Sequence, residues 1–344
     1  PVINISNTVT PAPIKNTSTP STLLETTSSS VPTITPTMLI WPTSTAQTLS
    51  SFPKEFEYVS LNCEGFADVD TDGLNPPNFM SLSFDAIENL YLYDAENGRV
   101  LVYDTSGDFI KTINLPDQWT DPLVYFLPMD VPVFDNKIWF STGIASNEND
   151  RGRIIGTMDL SSGKQGTIEL PKPVIGQFIS RKFFIDEKGM YVFVRHCADC
   201  GNNFFVTPDG NYFDTIGVIG SYYKNGFLFI PQDNPSAIII SKLNEEKKEF
   251  TPIKSIVIDT NFYILGVDQY HSIYVGLSPR EAPYYMSKIS FNEGKKELFN
   301  IPSEYFSGKI KTDIFVADSG NIFILTIADK GTDIHTQITK CYFP

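Results

Sequence analysis

Positive charge is scarce in this 344-residue chain: 26 Lys and Arg stand against 40 Asp and Glu, a formal net charge of −14. A nucleic-acid binder needs a basic face to neutralise phosphates, and no such cluster occurs. The two Lys-Lys pairs, Lys247-Lys248 and Lys295-Lys296, are flanked by Glu, as in solvated hairpin tips. Nucleic acid is therefore excluded as a partner. Long hydrophobic runs are also missing: the longest, such as Ala237 to Ile240, have the length of a strand. A membrane helix needs roughly 18 apolar residues, so no transmembrane segment is expected in this chain. Histidine is nearly absent, with only His196, His271 and His335. None sits in an H-E-x-x-H motif, and neither a G-x-S-x-G elbow nor a phosphate-binding glycine loop is present, so the common hydrolase and nucleotide signatures are lacking.

What is present divides the chain in two. Residues 1–50 hold 28 Ser, Thr or Pro and two charged side chains, Lys15 and Glu25. So few large apolar groups cannot offset the entropy of ordering, and this segment is expected to be a disordered tether. Residues 51–344 carry the aromatics and nearly all the negative charge, enough for one folded domain. The chain starts at Pro1, and an upstream export signal would account for that. Together with the tether, this leads us to expect a secreted or cell-surface protein. The Ser/Thr-rich segment resembles the spacers that follow the lipid-modified cysteine of bacterial surface lipoproteins, which implies an upstream lipid anchor.

Within residues 80–116 the run MSLSFDAIENLYLYDAENGRVLVYDTSGDFIKTINLP alternates apolar strands with Asp, Asn and Gly turns, marking four strands. Similar second strands start near Leu90, Ile138, Met190, Phe227, Ile273 and Ile322, about 46 residues apart on average, the period of propeller blades. The pattern predicts an all-β, six-bladed β-propeller of four-stranded blades, although the short interval between Met190 and Phe227 leaves seven blades open. After Lys311 only three strands remain, so the fourth strand of the last blade is expected from the isolated run Glu55 to Asn62, which would close the ring.

Residues 89–113, NLYLYDAENGRVLVYDTSGDFIKTI, resemble the NHL repeat, whose usual wording is GNLYVAD…NGRVQVFD.SGEF. Residues 317–325 match it fairly, and the middle blades match in strand spacing only. The resemblance implies a six-bladed propeller of the NHL and TolB-like superfamily, whose members include protein- and ligand-binding modules, sugar-lactone hydrolases and lyases. It implies a fold rather than one activity.

In a propeller one rim is built from the loops joining strands two and three and the loops joining successive blades. Arg and aromatic residues anchor interfaces, so Asp94, Asn97, Arg99, Trp119, Arg151, His196 and Arg280 on these loops are the candidate ligand-binding residues. Tyr125 and Tyr305 lie on inter-blade connections as well. The expected function is binding or scaffolding of a protein or glycan at this rim. The alternative is a metal-dependent propeller hydrolase or lyase of the lactonase kind, which the resemblance admits.

Asp68, Asp70 and Asp72, followed by Gly73, have the spacing of the first half of a calcium loop. Phe79 stands where an EF-hand has Glu, so the choice is between a non-helical calcium site and an acidic turn. Cys197 and Cys200 suit a local disulfide clamping a hairpin tip, with a redox pair and a metal site as the other readings. Cys63 and Cys341 would both fall in the closing blade, where a bridge would staple the ring if the two faced each other.

Overall fold

The computed structural model describes residues 53–61, 80–94, 98–116, 132–141, 154–169, 180–195, 203–214, 220–233, 236–258, 260–277, 284–307, 309, 311–329 and 334–343. Two short strands come first, β1 (Lys54–Glu55) and β2 (Glu57–Leu61). Blade one is the meander β3 (Met80–Phe84), β4 (Leu90–Asp94), β5 (Arg99–Tyr103) and β6 (Phe109–Asn114). Blade two is β7 (Val133–Phe134), β8 (Lys137–Ser141), β9 (Ile154–Asp159) and β10 (Gln165–Glu169). Blade three is β11 (Ser180–Asp186), β12 (Gly189–Arg195), β13 (Asn203–Val206) and β14 (Tyr212–Asp214). Blade four is β15 (Tyr222–Lys224), β16 (Phe227–Asp233), β17 (Ser236–Asn244) and β18 (Glu249–Val257). Blade five is β19 (Phe262–Val267), β20 (Ile273–Leu277), β21 (Tyr284–Ile289) and β22 (Lys296–Ile301).

Blade six has three strands from the C-terminal end of the chain, β23 (Lys311–Val316), β24 (Ile322–Asp329) and β25 (Ile334–Tyr342). Its fourth place is taken by β2, antiparallel to β25, with Tyr58 opposite Cys341 and Leu61 opposite Ile338. The molecule is thus a six-bladed propeller closed between its two ends, as the sequence led us to expect. The irregular interval between blades three and four does not mark a seventh blade. Within it β14 and β15 are only three residues each.

The middle strands read as unbroken apolar runs because both of their faces are covered by neighbouring blades. In blade one, Leu90, Leu92, Leu101 and Tyr103 face the core shared with Phe323, Leu325 and Ile338 of blade six. The alternate residues Tyr91, Tyr93, Val100 and Val102 face Val133, Ile138 and Met158 of blade two. Each large side chain removed from water in this way contributes about 1.5–3 kcal/mol, and strand parity decides which inter-blade seam receives it. The first strands of adjoining blades, β11, β15, β19 and β23, contact one another and so surround the axis.

One element had no clear sequence signal. β1 pairs in parallel with β22, the outer strand of blade five, with Lys54 opposite Phe299. The chain then steps across to blade six through Phe56, a buried ring stacked on Phe299 at 4.7 Å and edge-on to Phe343 at 5.2 Å. Tyr58 donates its hydroxyl to the Asn300 carbonyl at 2.9 Å, and Lys54 pairs with Glu297 at 3.3 Å. The N-terminal segment therefore stitches the last two blades together as well as completing the ring.

The expected Cys63–Cys341 staple is corrected by the register of this closing pair. Cys341 is a free thiol, fully buried, and its cross-strand neighbours are Tyr58 on one side and Ile322 on the other. The position a partner cysteine would need is filled by Tyr58. Cys63, Cys197 and Cys200 lie outside the described residues. Burial pushes the Cys341 thiol up to about 12. An unfolded thiol ionises near about 8.5, so between these two values only the unfolded chain loses the proton, and stability falls as pH rises by about 1.4 kcal/mol per pH unit. Tyr91 and Tyr93, also raised to about 12 by burial, add a loss of the same sign above about pH 10. Urea unfolding from pH 8 to 11 is expected to show the decline beginning near 8.5 in the native protein and near 10 in Cys341→Ala. An unchanged onset in the variant would mean that the thiol is not buried as described.

Candidate functional site

A four-stranded meander sends its A–B and C–D turns to one rim, and its B–C loops and inter-blade connections to the other. The two rims differ in this chain. On the first, the connections are short, such as residues 135–136, 187–188 and 225–226 between first and second strands. On the second they include residues 62–79, 115–132, 142–153 and 170–179.

Of the sequence-nominated binding residues, the structure brings two together on the long-loop rim. Asp94 ends β4 and Arg99 begins β5, directly opposite each other. The Arg99 Nε donates to Asp94 Oδ2 at 2.8 Å, with the carboxylate 1% exposed and the Arg side chain a quarter exposed. The buried acid thus fixes the guanidinium at the root of the blade-one hairpin. Gly98, at φ 58°, makes the turn, and its carbonyl accepts the Leu115 N–H at 2.8 Å, tying the hairpin to the exit of the blade. Asn97, Trp119, Tyr125, Arg151, His196 and Arg280 lie outside the described residues, as do Asp68, Asp70 and Asp72 of the candidate calcium loop. Tyr305 is described and serves packing, tilted against Tyr58 at 5.3 Å. Among the described residues, no group of three or more His, Cys, Asp or Glu is placed to hold a metal ion.

The short-turn rim shows chemistry beyond the forming of turns. Asp85 Oδ1 accepts the N–H groups of Ile87 and Asn89, and its Oδ2 accepts the Asn89 amide and the Tyr91 hydroxyl, the last at 3.3 Å. Asp268 repeats this, accepting from the N–H groups of Tyr270 and Ser272 and from the Tyr274 hydroxyl at 2.9 Å. In blade six the corresponding residues are Ala317 and Phe323: the acid and the hydroxyl are lost together, while the backbone turn from Ala317 N–H to Asn321 carbonyl remains. An Asp with Tyr six residues later was a readable signal for this pair. In blade three the turn is shorter, and Asp186 is instead met by Tyr223 of the next blade, at 3.2 Å.

Several of these turns are bound to one another. Glu88, at φ 63°, accepts from Ser319 and Asn321 of blade six and pairs with Lys340 at 3.4 Å. Lys224, a nearly buried cation of blade four, reaches Asp318 of blade six at 2.6 Å. Between them the Gln269 N–H donates to the Asp318 carbonyl at 2.8 Å. His271 lies beside Phe227 at 5.3 Å and Phe291 at 5.7 Å, and burial lowers its pKa.

Inside this rim is a cavity of about 850 Å³ on the axis, to which all six blades contribute. Its wall is apolar, with Phe84, Ile185, Leu265 and Val316 among the lining residues, and its mouth carries Asp85, Asp186, Asp318 and Lys224. Burial raises the Tyr223 hydroxyl pKa and holds that group neutral across the ordinary pH range.

No family model matches the chain. No curated protein matches it either. Solved structures do. The virginiamycin B lyase of Staphylococcus aureus aligns over 84% of this chain and 100% of its own, at 12% identity and a TM-score of 0.45. A luciferin-regenerating enzyme aligns over 78% and 93%, at 10% identity and a TM-score of 0.50. Regucalcin of Agrobacterium tumefaciens, described as a calcium-binding protein, aligns over 77% and 90%, at 11% identity and a TM-score of 0.46. At such identities the likeness shows the fold alone, and the chain is a six-bladed β-propeller.

Proposed function

We propose that this chain is an exported binding module that holds a protein or glycan partner on its long-loop rim, with residues 1–50 as its tether. The observation that carries the reading is the inequality of the rims: chain length is spent on residues 62–79, 115–132 and 142–153, while the opposite turns are minimal. Long connections on a rigid scaffold are where recognition residues accumulate. The Asp94–Arg99 pair supports the same side, since an Arg held in place by a buried acid meets a partner with little ordering cost. In this reading Asn97, Trp119, Arg151, His196 and Arg280 join it, and Asp68, Asp70 and Asp72 form a calcium loop leading into blade one.

Photo-crosslinking on the full chain tests it. With a diazirine side chain at 97, 151 or 280, partner adducts are expected. With the same group at 135 or 318 on the short-turn rim they are not. Arg99→Ala is expected to weaken the captured partner's affinity by about tenfold or more, the effect of losing an interface anchor. Adducts arising only from the short-turn positions would contradict the proposal.

A further inference from the structure

The axial cavity lies behind the opposite rim and calls for its own account. We propose that it is a binding site for a small organic cation with an apolar body, an arylalkylammonium or alkylammonium. Three observations carry this, and none rests on the long-loop rim. The first is size: about 850 Å³ falls in the range of roughly 300–1,000 Å³ that small-molecule sites occupy.

The second is the wall. Phe84, Ile185, Tyr222, Leu265, Ile314 and Val316 come from five blades and line the space. They are only half-buried, although they sit on the innermost strands, whereas Leu92, Val275 and Ile324 on the second strands are sealed. Apolar surface left open at the centre of a domain gains free energy when an apolar group enters it.

The third is the sign of the mouth. Asp85, Asp135, Asp186, Glu187 and Asp318 line it, contributed by four blades, against Lys224 as the one basic residue in the lining, while Lys137, outside the lining, pairs with Asp135 at 3.3 Å. That ammonium is already engaged, with Asp318 Oδ1 at 2.6 Å and the Ile185 carbonyl at 3.5 Å. Carboxylates around a low-dielectric wall focus a negative potential into the opening, which draws a cation in and holds an anion out. A guest would place its ammonium near Glu187 and the outer oxygen of Asp318, with its body among Phe84, Leu265 and Val316. Ile87, 70% exposed on the blade-one turn, gives the mouth an apolar lip.

The test uses three probes with a comparable phenyl body and different charge: phenethylammonium, 2-phenylethanol and 3-phenylpropanoate, titrated into the full chain by calorimetry at low salt. Phenethylammonium is expected to bind on the order of tenfold more tightly than the alcohol, and the propanoate more weakly than either. At 0.5 M salt the advantage of the cation is expected to shrink, as screening requires. The double variant Glu187→Gln, Asp135→Asn alters exposed turn residues only, and it is expected to remove most of that advantage while leaving the affinity of the alcohol as it was. Equal affinity for all three probes, tighter binding of the propanoate, no saturable binding of phenethylammonium, or a cation preference that survives the double variant would each overturn the proposal.

Discussion

Deleting residues 52–64 is expected to abolish cooperative folding, whereas deleting 1–48 leaves the unfolding midpoint unchanged. The longer-reaching effect follows from what β2 covers. Without it, β25 becomes an open edge, and Ile338 and Cys341, both fully buried, lose one wall of their seam. Phe56 and Leu61 are buried in two separate cores, and removing either side chain alone would cost about 2–5 kcal/mol. Five ladder pairs with β25 and the parallel contact of β1 with β22 go as well. Against a total domain stability of about 5–15 kcal/mol, the sum is decisive. Urea unfolding followed by circular dichroism reads the result directly. A sharp transition in the 52–64 deletion would show that the ring does not need its N-terminal strand.

The second large effect is at Asp268. This carboxylate is 1% exposed and accepts two backbone N–H groups and the hydroxyl of Tyr274, itself fully buried. Hydrogen bonds to a buried charge are the strong ones, so Asp268→Ala is expected to cost about 3–5 kcal/mol. Tyr274→Phe is expected to cost about 1–2 kcal/mol. Gly320 of blade six leans on the same pair: a Cβ there would stand 2.6 Å from the Tyr274 hydroxyl, and its φ of 91° strains any other residue. Blade six itself, with Ala317 and Phe323, shows that the turn can be built without either polar group. The double variant Asp268→Ala, Tyr274→Phe is therefore expected to lose about 1–2 kcal/mol less than the two single losses added together. Strict additivity would mean that the hydroxyl and the carboxylate do not act as a unit.

The scaffold was readable from the sequence because its determinants are local and periodic. Second strands expected at Leu90, Ile138, Met190, Phe227, Ile273 and Ile322 begin at Leu90, Lys137, Gly189, Phe227, Ile273 and Ile322. Middle strands buried on both faces leave long apolar runs, and the turns between them leave Asp, Asn and Gly. The closing strand was readable by elimination, since blade six lacked one member. β1 was not: Lys54 and Glu55 are two polar residues on an outer edge, where no alternation exists to be seen. The orientation of Cys341 depended on a register that only the completed pairing with Tyr58 fixes.

The candidate site was less readable still. The Lys224–Asp318 ion pair joins residues from blades four and six, and nothing near either residue in the chain announces the other. The axial cavity is assembled from side chains of all six first strands, which lie far apart in the chain, and two of those strands, β7 and β15, are only two and three residues long. What the sequence did show is the Asp94 to Arg99 hairpin, because an acid and a base at the two ends of one tight turn meet whenever the turn closes.

Native-state hydrogen exchange on the full chain tests the central claim, a ring closed between the two ends of the chain, most directly. In the closed ring, the paired amides of Glu57–Leu61 exchange as slowly as those of Ile334–Tyr342 and at the rate of the central strands of blade one, because all open only with the whole domain. Exchange of Glu57–Leu61 at the rate of a frayed terminus, while blade one stays protected, would contradict closure by this strand.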